Sequence, residues 1–183
     1  MSVTLVLGGA RSGKSRYAES LLRSHPAVTY VAPGPVPHPA DSEWAARIAL
    51  HQARRPAKWT TLETTELPAV LRAARDPVLI DCLSTWLTRL IDEIDAWQDR
   101  DRAAAHVQKQ TARLLDALGS ARVDVVLVSN EVGWSVVPGT ASGRLFRDEM
   151  GRLNAAVSGA SDHVALTVAG RVLDISCWPV VAD

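Results

Sequence analysis

The residues best suited to chemistry stand within the first fifteen positions. The pattern G-x-x-x-x-G-K-[ST] is matched in full by Gly8, Gly9, Ala10, Arg11, Ser12, Gly13, Lys14 and Ser15. Glycines let such a loop curl until several backbone N–H groups point into one anion-sized hollow, and a following helix adds partial positive charge. We expect Lys14 to neutralise the β- and γ-phosphates of a nucleotide and the Ser15 hydroxyl to bind Mg²⁺. The chemistry indicated is phosphoryl transfer.

The segments on either side of this loop have the composition that a phosphate-binding loop requires. Val3 to Leu7 is a short, apolar, β-rich run, and Ser15 to Leu22 has helix-forming residues. The alternative is a glycine-rich turn that arises by chance, and such a turn is rarely placed between a strand and a helix. The loop is therefore predicted to bind nucleotide phosphates, with Lys14 as a catalytic residue.

An acidic residue near the end of another strand is the expected partner of this loop. Val78 to Cys82 is an apolar run interrupted only by Asp81. We expect Asp81 to lie at the end of a strand neighbouring the first, where it would hold Mg²⁺ directly or through water. The alternative is that Asp81 caps the helix that follows the strand, and residue types alone leave both interpretations open.

A basic helix with one histidine is the second informative stretch. The residues from Glu43 to about Arg54 predict a helix on which Arg47, His51 and Arg55 share one face. The arginines disfavour the imidazolium and would hold a polyphosphate against a neutral His51, which suits attack on an α-phosphate. A solvated basic face with an incidental histidine explains the pattern equally well. Another face of this helix is expected to pack on the core through Trp44, Ile48 and Ala49.

The remaining pattern predicts an α/β protein, a three-layer sandwich with a mostly parallel sheet, because apolar strands alternate with helices. A terminal β-hairpin is expected from Val164 to Val168 and Arg171 to Ile175, joined by Ala169-Gly170. No internal repeat or second domain is visible, so residues 1–183 are predicted to form one nucleotide-binding domain. Further strands are expected at Val28–Ala32, Trp59–Leu62 and Val123–Ser129, and helices at Leu83–Leu118, with a break near Asp95–Gln98, and at Gly143–Val157.

Composition excludes several classes of protein. Lys and Arg number 20 and Asp and Glu number 20, so the formal net charge is zero, whereas general nucleic-acid binding needs a positive surplus. The two cysteines, Cys82 and Cys177, have no metal-binding spacing. No run approaches 18 uninterrupted apolar residues, so no membrane span is expected. We therefore predict a cytoplasmic protein that binds no nucleic acid.

Taken together, these stretches resemble the adenosylcobinamide kinase / adenosylcobinamide-phosphate guanylyltransferase family from Leu5 to about Leu173. The ordered set of motifs is much more specific than the phosphate loop alone. Besides that loop, the resemblance rests on Arg47-Ile48 with His51, Arg54-Arg55-Pro56 with Trp59, Leu62-Glu63, Asp81-Cys82-Leu83, Ser129-Asn130-Glu131-Val132-Gly133, Val137-Pro138, Arg144-Leu145-Phe146-Arg147-Asp148, Gly151-Arg152 and Asn154. The chain departs from the family pattern at Pro33-Gly34-Pro35, where a threonine-containing stretch is usual.

The resemblance implies a RecA-like P-loop fold, a homotrimer and two activities. ATP or GTP would phosphorylate the aminopropanol hydroxyl of adenosylcobinamide, and GMP from GTP would then be transferred onto that phosphate to give adenosylcobinamide-GDP. His51 would carry the GMP covalently. The nucleotide contacts implied by position, in addition to the loop, are Gln52, Ala53, Arg54, Arg55, Glu63 and Asp81.

Three other functions fit parts of the pattern. A small-metabolite P-loop kinase would need no guanylyl step, a GTP-binding switch would need an [NT]-K-x-D motif that is absent, and a RecA-like DNA-binding protein would need positive charge. Asn130 and Glu131 follow a predicted strand, where α/β proteins bind ligands. They would contact the corrinoid side chain or the metal, or Asn130 would simply cap a turn.

Overall fold

The computed structural model describes residues 1–34, 46, 49, 52–53 and 55–181, and within them the chain forms one seven-stranded sheet. Six strands are parallel, and the seventh pairs antiparallel with the sixth as the predicted C-terminal hairpin. The sheet order is β3-β2-β4-β5-β1-β6-β7. The strands are β1 (Val3–Gly8), β2 (Val28–Ala32), β3 (Trp59–Glu63), β4 (Val78–Asp81), β5 (Val125–Asn130), β6 (His163–Val168) and β7 (Arg171–Asp174).

Helices connect these strands, and two of them begin at a side-chain cap. The Asp99 and Thr140 side chains accept hydrogen bonds from backbone N–H groups of the first turns that follow, both at 3.1 Å. The described helices are α1 (Lys14–Leu21), α2 (Leu67–Ala73), α3 (Leu83–Glu93), α4 (Arg100–Gly119) and α5 (Ala141–Gly159). The predicted break in the long helical region is confirmed between α3 and α4. Helix α2 was not predicted, because it is short and contains Pro68, which the first turn of a helix tolerates.

The core lies on both faces of the sheet, as a three-layer sandwich requires. Along β1, Leu5 and Leu7 face the larger apolar cluster, which includes buried residues of α2 to α5, while Val6 faces a smaller cluster beside α1. The same alternation appears in β4, where Ile80 lies in the larger cluster and Leu79 in the smaller. Side chains of successive strand residues point to opposite faces of the sheet, so these apolar runs are buried on both faces.

The order of the strands corrects one expectation about Asp81. Its strand β4 does not neighbour β1, because β5 lies between them. Gly8 pairs with Asn130, and Asp81 pairs with Val128 two residues earlier on β5. With strands about 4.8 Å apart, β4 lies roughly 10 Å from β1. The sequence identifies strands by composition but does not give their lateral order, so the intervening strand was not predicted.

The helix predicted to carry the histidine is described at four positions. Ala46, Ala49, Gln52 and Ala53 are helical, in agreement with the prediction, and all four are exposed. The expectation that Ala49 packs on the core is therefore wrong within a single chain. The proposed nucleophile His51 and the arginines Arg47 and Arg54 lie outside the described residues, as do the prolines of the preceding loop from position 35 onwards. Among the described helices, none combines the length and apolar character that crossing a membrane requires.

Candidate active site

The phosphate loop connects the carboxyl end of β1 to the first turn of α1. Gly13 precedes that turn with φ of 100°, and Arg11 has φ of 58°, a left-handed conformation that is uncommon outside glycine. The Ser12 N–H donates to the Gly9 carbonyl at 3.3 Å and so closes the turn. Lys14 is buried, and its Nζ donates to the Gly9 carbonyl at 3.1 Å. The loop thus holds its lysine across the hollow that a phosphate would enter.

The C-terminal hairpin supports this loop from the side. Ser12 Oγ and Thr167 Oγ1 are 2.7 Å apart, and Thr167 Oγ1 also donates to the Leu7 carbonyl at 3.0 Å. At the turn of the hairpin, Gly170 N–H donates to the Ser12 carbonyl at 3.1 Å. The sequence offered no signal for Thr167, since a threonine in a strand is ordinary. The structure shows that β6 and β7 fix the conformation of the phosphate loop.

Gly8 has no room for a side chain. A Cβ atom there would lie 2.2 Å from Thr167 Oγ1, 2.5 Å from Ser12 Oγ and 2.7 Å from the Thr167 carbonyl oxygen. We expect Gly8→Ala to destabilise the protein by about 1–3 kcal/mol, the usual cost of overpacking. For a chain of this length that lowers the melting temperature by roughly 2–12 °C.

Gly9→Ala is the matched control, because a Cβ at Gly9 meets nothing within 4 Å. Thermal unfolding followed by circular dichroism checks the prediction. Equal melting temperatures for the two variants would show that the contact between the loop and the hairpin is not tight.

A buried tyrosine joins two of the predicted site residues. The Tyr30 hydroxyl donates to Asp81 Oδ2 at 2.9 Å, and the guanidinium carbon of Arg55 lies 3.4 Å from the centre of the Tyr30 ring. Arg55 also donates through Nη1 to Thr61 Oγ1 at 3.1 Å, while its buried Nε has no hydrogen-bond partner. Burial, and next the negative charge of Asp81, raise the pKa of Tyr30 well above its usual value. The hydroxyl therefore stays protonated and acts as a donor.

Asn130 lies between the phosphate loop and Asp81, at the end of β5. Its Nδ2 donates to Ser84 Oγ at 2.9 Å, and its carbonyl accepts from Asn154 Nδ2 at 3.0 Å. Its Oδ1 is buried without a hydrogen-bond partner. A buried acceptor left unpaired is unfavourable, so this oxygen marks a place where a donor belongs.

Glu131 has a different environment from Asn130. Its backbone N–H donates to the Gly8 carbonyl at 3.1 Å, and its carboxylate accepts from the Gly133 N–H at 2.7 Å. The side chain of Glu131 thus closes the turn that follows β5. Of the two residues, only Asn130 has a buried side-chain polar atom without a hydrogen-bond partner.

The residues predicted to bind Mg²⁺ have suitable chemistry. Ser15 stands half-buried in the first turn of α1, and Asp81 is half-buried at the end of β4. Asp81 belongs to the strand, and the residue at the N-terminal cap of α3 is Cys82, so helix capping does not explain the carboxylate. Among the described residues there is no cluster of three or more His, Cys, Asp or Glu. A nucleotide-bound Mg²⁺ needs few protein ligands, because phosphates and water complete its shell. Oxygen donors of this kind fit it.

The other predicted nucleotide contacts lie towards the far edge of the sheet. Glu63 is exposed at the end of β3, opposite Ala32, and β3 is four strand positions from β1, or about 19 Å. Gln52 and Ala53 are exposed on the helix that precedes β3, and Arg55 is brought to Asp81 through Tyr30. The structure therefore gathers Arg55 and Asp81 into one cluster but does not bring Glu63 near the phosphate loop.

This combination defines the class of protein. A glycine-rich loop between β1 and α1, a buried lysine across it and a carboxylate on the next strand but one belong to P-loop nucleotide-binding proteins. A solved ATPase from the type III secretion system of pathogenic bacteria has the same fold, with a TM-score of 0.58 and 10% identity. That alignment covers 90% of this chain and 50% of the ATPase, and at such identity it shows the fold alone.

The sequence comparisons narrow the class to a family. Residues 4–175 match the model of cobinamide kinase / cobinamide phosphate guanyltransferase, and the chain belongs to that family. It is 41% identical to the bifunctional adenosylcobalamin biosynthesis protein CobP of Pseudomonas aeruginosa, over 96% of this chain and 98% of the relative. It is 40% identical to the bifunctional adenosylcobalamin biosynthesis protein CobU of Salmonella typhimurium, over 91% and 95% of the two chains. The chain is an enzyme of cobalamin biosynthesis, with the kinase and guanylyltransferase activities of its family.

Proposed function

We propose that this enzyme phosphorylates adenosylcobinamide with ATP or GTP and then transfers GMP from GTP to adenosylcobinamide phosphate through a guanylyl-histidine at His51. The observation that supports this proposal most directly is the phosphate loop with Lys14 held across it. The loop and Asp81 both lie at the carboxyl ends of their strands. Family membership supports the choice of cobinamide substrates and of two activities.

In the kinase step, the loop from Gly8 to Ser15 binds the triphosphate through its backbone N–H groups. Lys14 neutralises charge that develops as the substrate hydroxyl attacks the γ-phosphorus and loses its proton, while the bond from that phosphorus to the departing nucleoside diphosphate breaks. Ser15 and Asp81 would hold Mg²⁺, which would offset negative charge on the nucleotide phosphates. The unfilled Oδ1 of Asn130 accepts a hydrogen bond from the hydroxyl or water that occupies this space.

In the guanylyl step, His51 forms a bond to the α-phosphorus of GTP as the bond to pyrophosphate breaks. An oxygen of adenosylcobinamide phosphate then attacks the same phosphorus, and the bond to His51 breaks. The segment that follows His51, from Gln52 to Arg55, contributes nucleotide contacts, and Arg55 offers an unpaired buried Nε for a phosphate oxygen. Arg54 and Glu63 complete the proposed nucleotide contacts.

Two isotope experiments test this function. Incubation with γ-labelled ATP, Mg²⁺ and adenosylcobinamide should give a labelled phosphate ester. Incubation with α-labelled GTP and adenosylcobinamide phosphate should give labelled adenosylcobinamide-GDP with release of pyrophosphate. If the first product forms and the second does not, the chain is a kinase alone. The absence of both products would refute the proposal.

We further propose that the enzyme works in the cytoplasm as a homotrimer. An exposed apolar set beside the C-terminal hairpin is available for contact between copies, and β7 is an edge strand. The set consists of Val168, Val172, Leu173, Trp178, Val180 and Val181.

Light scattering coupled to size-exclusion chromatography should give three times the mass of 19.7 kDa. We expect Leu173→Glu to shift the particle towards monomer, because an unpaired charge would be buried at the interface. Arg113→Glu is the control, because it introduces the same side chain at an exposed position on α4. A monomeric wild-type protein would contradict the proposed assembly.

A further inference from the structure

Tyr30 is the least expected residue in the candidate site. It lies in the middle of β2 with 1% of its surface exposed, and it belongs to the apolar cluster on the α1 face of the sheet. Phenylalanine would fill such a place without a polar atom to satisfy. The Tyr30 hydroxyl is used, since it donates to Asp81. The ring face is used as well, since Arg55 lies over it.

We propose that Tyr30 is a positioning residue for both halves of the reaction, orienting the carboxylate of Asp81 with its hydroxyl and supporting the guanidinium of Arg55 with its ring. The inference rests on the proposed function, because it takes Asp81 as a residue that holds Mg²⁺ and Arg55 as a nucleotide contact. It assigns no bond-making step to Tyr30 itself.

The hydroxyl acts through the direction it gives to Asp81. A carboxylate at a strand end can rotate about its Cβ–Cγ bond, and a donor fixed at 2.9 Å from Oδ2 limits that rotation. The donor is itself rigid, because a buried tyrosine in a strand has little freedom. Residues that orient a metal-binding carboxylate in this way typically change metal affinity by about 10- to 100-fold when they are removed.

The ring acts through Arg55. A guanidinium over an aromatic face is attracted by the negative charge of the π-system, and Arg55 is held in addition by Thr61 on β3. These two contacts leave the buried Nε unpaired. The Tyr30 ring therefore supports the Arg55 guanidinium, whose Nε is an unpaired donor. Arg55 follows His51 by only four residues in sequence.

Because β2 lies between β3 and β4, Tyr30 connects Asp81, at the end of β4, with Arg55, which precedes β3. Asp81 stands on the side of the phosphate loop, and Arg55 precedes β3. Through one side chain, the position of the carboxylate and the position of the arginine depend on each other. A substitution at position 30 should therefore affect two functions that can be measured separately.

Metal binding tests the role of the hydroxyl. In Tyr30→Phe the ring remains and the hydroxyl is lost. We expect the dissociation constant for Mn²⁺, measured by electron paramagnetic resonance in the presence of non-hydrolysable GTP, to rise about tenfold. The affinity for the nucleotide without metal should not change, and it reports that the protein is folded. Tyr17→Phe is the matched control, because Tyr17 is the other tyrosine of the chain and packs beside the same cluster.

A double-mutant cycle tests the role of the ring. Tyr30→Leu and Arg55→Leu should each slow the labelling of the protein by α-labelled GTP at saturating Mg²⁺. Because Tyr30→Leu also removes the hydroxyl, it is compared with Tyr30→Phe, which keeps the ring. If the ring acts through Arg55, Tyr30→Leu is slower than Tyr30→Phe when Arg55 is present and no slower when Arg55→Leu is present. Fully multiplicative losses would show that the ring does not act through the arginine. Arg55 is only half-buried, so Arg55→Leu leaves the core in place. This variant can therefore be measured even if Tyr30→Leu does not fold.

The outcomes distinguish this inference from the proposed function. A Tyr30→Phe protein that binds Mn²⁺ as tightly as wild type overturns the role of the hydroxyl, whatever reaction the enzyme catalyses. If wild-type protein is never labelled by GTP, the guanylyl step fails, and the Mn²⁺ measurement still decides the role of the hydroxyl towards Asp81.

Discussion

Replacing His51 with alanine should abolish the labelling of the protein by α-labelled GTP and lower the rate of guanylyl transfer by more than about 10³-fold, as loss of a covalent nucleophile does. The label on the wild-type protein should be labile in acid and stable in base, which is the behaviour of a phosphoramidate. Phosphoryl transfer from ATP to adenosylcobinamide should survive to a far greater degree, because the imidazole forms no bond in that step.

His163→Ala is the matched control for this variant. His163 is exposed at the start of β6, opposite Thr4, and so lies at the amino end of the sheet, away from the phosphate loop. Its loss should leave labelling at the wild-type level. A stoichiometric label that persists in His51→Ala would move the nucleophile elsewhere and would favour a different chemistry for the second activity.

The fold was predictable from the sequence to the extent that it depends on local pattern. Apolar runs such as Val28–Ala32 and Val78–Asp81 form strands because they are buried on both faces, and the two-residue connection Ala169-Gly170 produces a hairpin. The lateral order of strands depends on packing across the whole sheet, and no local pattern encodes it. For that reason β5 was not expected between the phosphate loop and Asp81.

The candidate site was predictable where chemistry imposes a residue type. A lysine and glycines in fixed positions signal the phosphate loop, and an acidic residue interrupting the apolar run 78–82 signals Asp81. Tyr30 and Thr167 were missed because both act through contacts with residues distant in sequence, and no local pattern reveals such contacts. The signal for Tyr30 was a phenolic hydroxyl in a predicted buried strand, which needs a hydrogen-bond partner once it is buried.

Replacing Lys14 with alanine should lower the kcat/KM of phosphoryl transfer by about 10²- to 10³-fold, the usual effect of removing one group that stabilises transition-state charge. The lysine is buried and donates to the Gly9 carbonyl, so it is already positioned before the nucleotide arrives. Lys109→Ala, at an exposed position on α4, should change the rate little. Steady-state kinetics with γ-labelled ATP checks both variants.

The same variant decides whether the two activities share the phosphate loop. If the loop holds the β- and γ-phosphates of GTP while His51 attacks the α-phosphorus, Lys14→Ala should also slow the labelling by α-labelled GTP. Arg55 and Glu63 lie towards the far edge of the sheet, and Glu63 is about 19 Å from β1. Normal labelling in Lys14→Ala would therefore place the GTP of the guanylyl step near β3, away from the phosphate loop. Loss of both activities would mean that the two steps use one triphosphate site, which runs along the carboxyl ends of the strands from Ser15 towards Arg55.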